Sequence, residues 1–374
     1  MDRALLDRFK DPELSRGLVA RIFKLSEELD GTRGRTPLNI MEVCGTHTVA
    51  IARSGLAGLL PESIRLISGP GCPVCVTANS SIDHVIAASR LPDVVLTTFG
   101  DMMRVPGSST SLQERRAEGA RVEVVYSPLD ALELAARSPE QQYIFVAVGF
   151  ETTTPLVAAT IKRAASAGVD NFSVLSSQKR VAPALDALAH DPDVALDALI
   201  LPGHVSTILG VAPYRFLAEQ YGIPGVIAGF EPVDLLLALA ELLEQLVQQR
   251  PRIEIAYGRA VHEHGNEQAR AVIDEVFEVA DATWRGLGPI PRSGHVLRRE
   301  YARFDALQRF DIASRTEPTV EPRGCRCGDV LRGVITPGEC SLFGTACTPV
   351  NPVGPCMVSG EGSCAAWYRY KLGA

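Results

Sequence analysis

The chain has 374 residues, 46% of them hydrophobic and 22% charged, which is material for two or three folding units with substantial apolar cores. Its formal net charge of −7 excludes a general nucleic-acid binder, which needs a basic stripe to neutralise phosphates; Arg298, Arg299 and Arg303 read as a solvated helix face. The opening M-D-R-A-L-L-D-R-F-K lacks the apolar stretch of a signal peptide, and D-L-L-L-A-L-A-E-L-L-E-Q-L-V is interrupted by Glu241 and Glu244, so no membrane span is expected and the cytoplasm is the expected compartment.

In chain order, I-M-E-V reads as a strand ending at Cys44-Gly45-Thr46-His47-Thr48, and I-R-L-I as a second ending at G-P-G-C-P-V-C, which carries Cys72 and Cys75. D-V-V-L-T-T then leads into F-G-D-M-M-R-V-P-G with Asp101, and V-E-V-V-Y into S-P-L-D. The same beat returns at an offset of about 104 residues. Y-I-F-V-A-V precedes Gly149-Phe150-Glu151-Thr152-Thr153-Thr154-Pro155, F-S-V-L precedes S-S-Q-K-R-V-A-P, D-A-L-I-L precedes P-G-H-V-S-T-I with His204, and G-V-I-A precedes G-F-E-P-V-D with Glu231. A short β-branched run, a Gly or Pro turn and a helix-compatible stretch are the signature of βα units. The expected fold is therefore α/β: two similar, mainly parallel-sheet domains over residues 1–140 and 141–255, then a third unit over 256–374. In open α/β sheets ligands bind beyond the carboxyl ends of the strands, where all these motifs fall, so a cleft between the two halves is the expected site. Asp101, His204 and Glu231 occupy corresponding landmarks and are candidates there. The threonines of G-F-E-T-T-T-P suit a small anion at a helix start, or simple capping.

After residue 256, A-V-I-D-E-V-F-E-V-A-D-A-T-W-R-G-L-G reads as an amphipathic helix stopped by glycine, and Y-A-R-F-D-A-L-Q-R-F as a second. H-E-H-G-N is not a zinc-protease motif, because Asn266 stands where the second histidine is needed. Beyond Glu317-Pro318 the chain is turn-rich and holds six of its nine cysteines as C-x-C-x12-C-x6-C-x8-C-x7-C, from Cys325 to Cys364.

A packed apolar core is not expected there without a metal to organise it. Zinc ribbons present paired C-x2-C knuckles and this tail has none; a structural zinc site and disulfides remain the plain alternatives. An iron–sulfur cluster accepts irregular spacing because four thiolates need only converge on a cube of iron and sulfide. Cys44 with His47 reads either as a buried small residue beside a core histidine or as a thiolate–imidazole iron site. The second reading gains from a helix start that favours thiolate and from Gly45, which allows close approach. Cys72 and Cys75 read as redox or sulfur-handling thiols, or as buried thiols in a Pro turn.

Taken together, C-G-T-H-T, G-P-G-C-P-V-C, F-G-D-M-M-R-V-P-G, G-F-E-T-T-T-P, P-G-H-V-S-T-I, G-F-E-P-V-D and the tail C-R-C-G-D-V-L-R-G…C-x-L-F-G-x-x-C-T-P…G-P-C-M-V-S-x-E-G-x-C-A-A closely resemble the HypD family, over residues 36 to 372. That resemblance implies a maturation factor for nickel–iron hydrogenases. It implies a scaffold on which iron carrying two cyanides and one carbon monoxide is assembled, with a HypC-type chaperone and a HypE-type cyanide donor as partners and an unknown electron donor. Carried onto this sequence, Cys44 is the iron thiolate shared with the chaperone, His47 stands beside it, and Cys72 and Cys75 are thiols near the same cleft. The family's 4Fe-4S site is similar to that of ferredoxin:thioredoxin reductase. The likeness implies Cys325, Cys340, Cys347 and Cys364 as cluster ligands and Cys327 with Cys356 as a redox pair. The competing classes are a ferredoxin-linked disulfide reductase and a structural iron–sulfur protein that binds partners.

Overall fold

The computed structural model describes residues 11–30 and 37–370; the charged opening segment lies outside them. Eleven strands are present among the described residues: β1 Leu38–Glu42, β2 Ile64–Ser68, β3 Val94–Thr98, β4 Val122–Val124, β5 Gln142–Gly149, β6 Phe172–Gln178, β7 Ala198–Pro202, β8 Gly225–Ala228, β9 Ile253–Ile255, β10 Phe277–Trp284 and β11 Gly288–Leu297. They form a five-stranded sheet in the order β2-β1-β7-β8-β9, a four-stranded sheet in the order β4-β3-β5-β6, and a β10-β11 hairpin. Every pairing in the two larger sheets is parallel; the hairpin is antiparallel.

Side chains alternate between the two faces of each strand, and both faces of both sheets are covered, which is why the strands read as unbroken apolar runs. On the first sheet Ile40, Ile200 and Val226 face the helices Pro12–Asp30 and Pro232–Gln248 through Leu18, Ile22, Leu239 and Leu243. Met41, Leu199, Leu201 and Ile227 face the other way, into a core shared with Tyr214, Trp284, Cys72, Cys75, Cys327 and Cys356. The cysteine-rich tail therefore packs as part of the first sheet's second face. On the second sheet Leu96, Ile144 and Val146 point into one core, and Val95, Phe145 and Val174 into another.

The boundary expected at 140/141 does not separate the two sheets. The first takes β1 and β2 from before it and β7 to β9 from after it; the second takes β3 and β4 from before and β5 and β6 from after. The reason is burial: β1 lies inside the molecule, so the backbone N–H and C=O groups along both of its edges need partners, and β7 supplies those that β2 cannot.

The helix expected across residues 271–288 is also corrected. It ends at Val276, and F-E-V-A-D-A-T-W pairs with β11 as a strand, its polar–apolar alternation overriding the helical period. Y-A-R-F-D-A-L-Q-R-F is split into a 3-10 turn, Arg299–Phe304, and a short helix, Ala306–Arg309, whose first turn is capped by the Asp305 carboxylate accepting from the Leu307 N–H at 2.9 Å.

The β10-β11 turn is held by a close crossing of two glycines. Gly286 has φ +81°, and a Cβ built on it comes within 2.3 Å of the Gly328 Cα. Gly286→Ala is expected to cost about 1–3 kcal/mol through the left-handed backbone alone, with the collision in addition. Chemical denaturation followed by circular dichroism measures the loss, and Gly17→Ala, inside a helix with open space around it, is the comparison expected to show no loss and a gain of about 0.5–1 kcal/mol.

Candidate functional site

In the first sheet the chain leaves β1 toward β2 on one side and β7 toward β8 on the other, so the crevice between the ends of β1 and β7 is a topological switch point. Cys44 stands there as the N-cap of the helix Gly45–Ser54, in extended conformation, and is buried at 7% exposure. The G-P-G turn lies against it: the Gly45 N–H donates to the Gly71 carbonyl at 3.0 Å, and a Cβ on Gly71 would meet the Cys44 nitrogen at 2.2 Å. Only glycine fits at 71, because the two backbones touch there.

The helix start does not leave this thiol ionised. Burial, reinforced by the nearby Glu361 carboxylate, pushes the Cys44 thiol up to about 12 against the opposing N–H groups of His47 and Thr46. A metal cation that binds here has to displace the proton.

His47 is fully buried, and burial lowers its pKa to about 4, so its ring is neutral near pH 7. Its Nε2 lies 3.0 Å from the Gly229 carbonyl and 3.3 Å from that of Ala228, and a nitrogen facing two acceptors carries the proton. Nδ1 then has a lone pair and no partner among the described residues. Phe230 stacks between this ring, at 4.8 Å, and that of His204, at 4.0 Å.

Two acidic residues complete the surroundings, and the sequence reading assigned neither a role. Glu42 is buried beneath Cys44, accepts from its N–H at 3.1 Å and contacts the Thr48 hydroxyl; burial raises its pKa to about 8. Glu361 arrives from the cysteine-rich tail, accepts from the Thr46 hydroxyl at 2.6 Å and covers Gly45. Its loop is held by Asp101, whose carboxylate accepts from the Ser359 hydroxyl at 3.0 Å and the Gly360 N–H at 3.2 Å. Of the other landmark residues, Glu231 is spent in a capping box with Asp234. The Thr153 and Thr154 hydroxyls turn inward to the Phe150 carbonyl and the Gln178 side chain. The signal for Glu361 was its place in S-x-E-G-x-C, but only the tertiary fold brings it to Cys44.

Cys72 caps the four-residue helix Pro73–Val76, its sulfur accepting from the Cys75 N–H at 3.2 Å. A series of thiols shares one core: Cys75, whose sulfur lies 4.0 Å from the Pro355 carbonyl, neighbours Cys356, Cys356 neighbours Cys327 and Cys364, and Cys327 neighbours Cys325. All nine cysteines are free. Burial pushes the Cys75 thiol well up. The six tail cysteines line one small, mostly apolar cavity with Val330, Leu342, Phe343, Gly354 and Met357. A Cβ on Gly354 would stand 2.6 Å from the Cys325 sulfur, so the glycine keeps that cavity open. Six soft sulfur donors in a water-poor enclosure fit an iron–sulfur cluster in donor type and surroundings. Among the described residues no three ionisable side chains converge as a ready-made site for a single metal ion.

The family model HypD, described as the hydrogenase formation hypA family, matches residues 15–371. Hydrogenase maturation factor HypD of Rhodobacter capsulatus is 46% identical over 365 residues, covering 97% of each chain. Hydrogenase expression/formation protein HupD of Azotobacter chroococcum is 46% identical over 372 residues, covering 98% of this chain and 96% of its own. Hydrogenase maturation factor HypD of Escherichia coli K12 is 43% identical over 367 residues, covering 98% of each.

The buried acids set a pH dependence. Glu42 and Glu151 have folded pKa values raised from 4.5 to about 8 and about 7, mainly by burial, so their contribution is full below pH 4.5 and is lost as pH rises through 7 to 8. Lys179, lowered by burial from 10.5 to about 8, contributes above pH 10.5 and loses that contribution as pH falls to 8, a separate window. His47 and His295, both lowered by burial from 6.5 to about 4, oppose this between pH 4 and 6.5, so unfolding free energy is expected to fall mainly between pH 6.5 and 8, and Glu42→Gln is expected to remove on the order of 1–3 kcal/mol of that fall. Denaturation curves at several pH values check it.

Proposed function

Since the chain belongs to the HypD family, whose members include hydrogenase maturation factors, we propose that it is the scaffold on which the iron of a nickel–iron hydrogenase receives two cyanides and one carbon monoxide. The observation that carries this reading is Cys44 at the switch point: a buried thiol at the start of the helix that carries a neutral histidine with a free Nδ1 lone pair, on a loop whose backbone lies against the one leading to Cys72 and Cys75. Iron is the cargo, Cys44 its thiolate anchor and His47 a ligand or a hydrogen-bonding neighbour. Soft thiolate donation strengthens back-bonding from ferrous iron to carbon monoxide, and N–H groups at a helix start favour the anionic cyanides. A HypC-type chaperone shares the iron, a HypE-type protein donates cyanide, and the cytoplasm, where thiols stay reduced, is the compartment. No helix among the described residues is long and apolar enough to cross a membrane.

Cys325, Cys340, Cys347 and Cys364 are the proposed ligands of a 4Fe-4S cluster in a C-terminal cluster domain, and such a cluster, when bound, supplies electrons one at a time. Cys327 and Cys356 are the proposed redox pair, and their place side by side in one core, lining one cavity, supports it. The thiol order lets this pair reduce a Cys72–Cys75 disulfide. The Cys356 thiolate attacks the Cys75 sulfur and releases Cys72 as thiolate. Cys327 then attacks the Cys356 sulfur, closing Cys327–Cys356 and releasing Cys75, so two electrons pass to the iron end. The sequence repeat is proposed to relate the two sheets: carrying β1, β2, β7 and β8 onto β5, β6, β3 and β4 turns one strand order into the other.

Anaerobically purified chain is expected to hold about four iron and four sulfide. Cys327→Ser and Cys356→Ser should keep them and block hydrogenase maturation, while Cys340→Ser should lose them. Stoichiometric zinc, or equal loss in all three variants, contradicts the assignment.

Cys44→Ser should fold and keep its iron–sulfur absorption, yet show no cyanide or carbon monoxide stretches in the infrared spectrum of the complex with its chaperone. His47→Ala should weaken those bands. Undiminished bands in Cys44→Ser leave a disulfide reductase as the better description.

A further inference from the structure

The turn between β10 and β11 reaches both ends of the thiol chain. Arg285, at 5% exposure, donates from its backbone N–H to the Val76 carbonyl at 2.9 Å, from Nε to the Thr77 carbonyl at 3.1 Å and from Nη2 to the Asn79 Oδ1 at 3.0 Å. These acceptors belong to the segment that directly follows Cys75. The preceding residue, Trp284, forms an antiparallel bridge with Thr77, and its Nε1 donates to the Ser293 hydroxyl at 2.9 Å, fixing the turn to its own hairpin. The following residue, Gly286, crosses Gly328, which is next to Cys327. One turn of three residues thus grips the C-P-V-C segment on one side and the C-x-C segment on the other.

A guanidinium with so little exposure is costly unless its donors are filled. Its charged neighbour, Glu321, is 3.5 Å away and exposed, so the hydrogen bonds to the 77–79 segment are what chiefly offsets its burial. The planar fork of arginine fixes the direction of Nε and Nη2 together, which a lysine ammonium cannot do. We infer that Arg285 is a positioning residue that holds Cys75 within thiol-exchange reach of Cys356. The inference rests on the thiol relay proposed above.

The test uses the full chain, anaerobic, carrying Cys72→Ser and Cys327→Ser so that Cys75 and Cys356 are left as partners. Diamide takes two electrons and two protons from a thiol pair and leaves a disulfide, and peptide mass spectrometry reads the rate at which Cys75–Cys356 appears. With Arg285 in place that disulfide should dominate; its absence there overturns the relay itself. Arg285→Gln and Arg285→Lys should both slow its formation at least tenfold, with circular dichroism and iron–sulfur absorption unchanged. An unaltered rate in Arg285→Gln, or recovery in Arg285→Lys to within twofold of the parent, overturns the positioning role. If Arg285→Gln does not fold, Asn79→Ala, which removes one acceptor, should slow the reaction about threefold, and no slowing there has the same force.

Discussion

The contact between two backbones, at Cys44 and Gly71, is the constraint on which the rest of the site depends. Because no side chain separates them, the loop leaving β2 lies directly on the loop leaving β1, and the C-P-V-C segment is delivered to the N-terminus of the helix that carries His47. Parallel pairing makes this possible, since it brings both carboxyl ends to the same edge of the sheet. The tail then closes the arrangement from above, with Glu361 over Gly45 and Cys356 against Cys75.

Burial gives this arrangement its chemical character. Glu42 and Cys44 are held toward their neutral, protonated forms, and His47 toward its neutral, unprotonated one, so near pH 7 the pocket around the sulfur carries little charge of its own apart from Glu361. On the iron-site reading proposed above, such a pocket discriminates by what a cation offers in exchange: a soft ion that bonds strongly to sulfur can displace the thiol proton, whereas a hard, well-hydrated one gains little.

Much of this was legible in the sequence, for local reasons. A β-branched run, a glycine turn and a helix-compatible stretch place Cys44 at a strand end whatever the partner strand is, and the same holds for Cys72, Asp101 and His204. The partner strands were not legible. An apolar run such as I-M-E-V specifies that both edges need neighbours without saying which, and β7 is distant in the chain. Glu361 and Arg285 were missed for the same reason: their contacts are to residues far away in sequence. The error over residues 277–284 was different in kind, because a helix merges into a strand there with no breaker at the junction.

The interleaving of the sheets has a consequence for the order in which the chain can be completed during synthesis. The four strands of the second sheet are contiguous, from Val94 to Gln178, while the first sheet is begun by β1 and β2 and finished only by β7, β8 and β9. A ribosome that has released residues up to 190 has delivered every strand of the four-stranded sheet but only two of the five of the other. The edge of β1 that leads to Cys44 must therefore wait, without its β7 neighbour, for the second half of the polypeptide, and the pocket around Cys44, which Glu361 closes, comes into being only when nearly all of the protein has emerged.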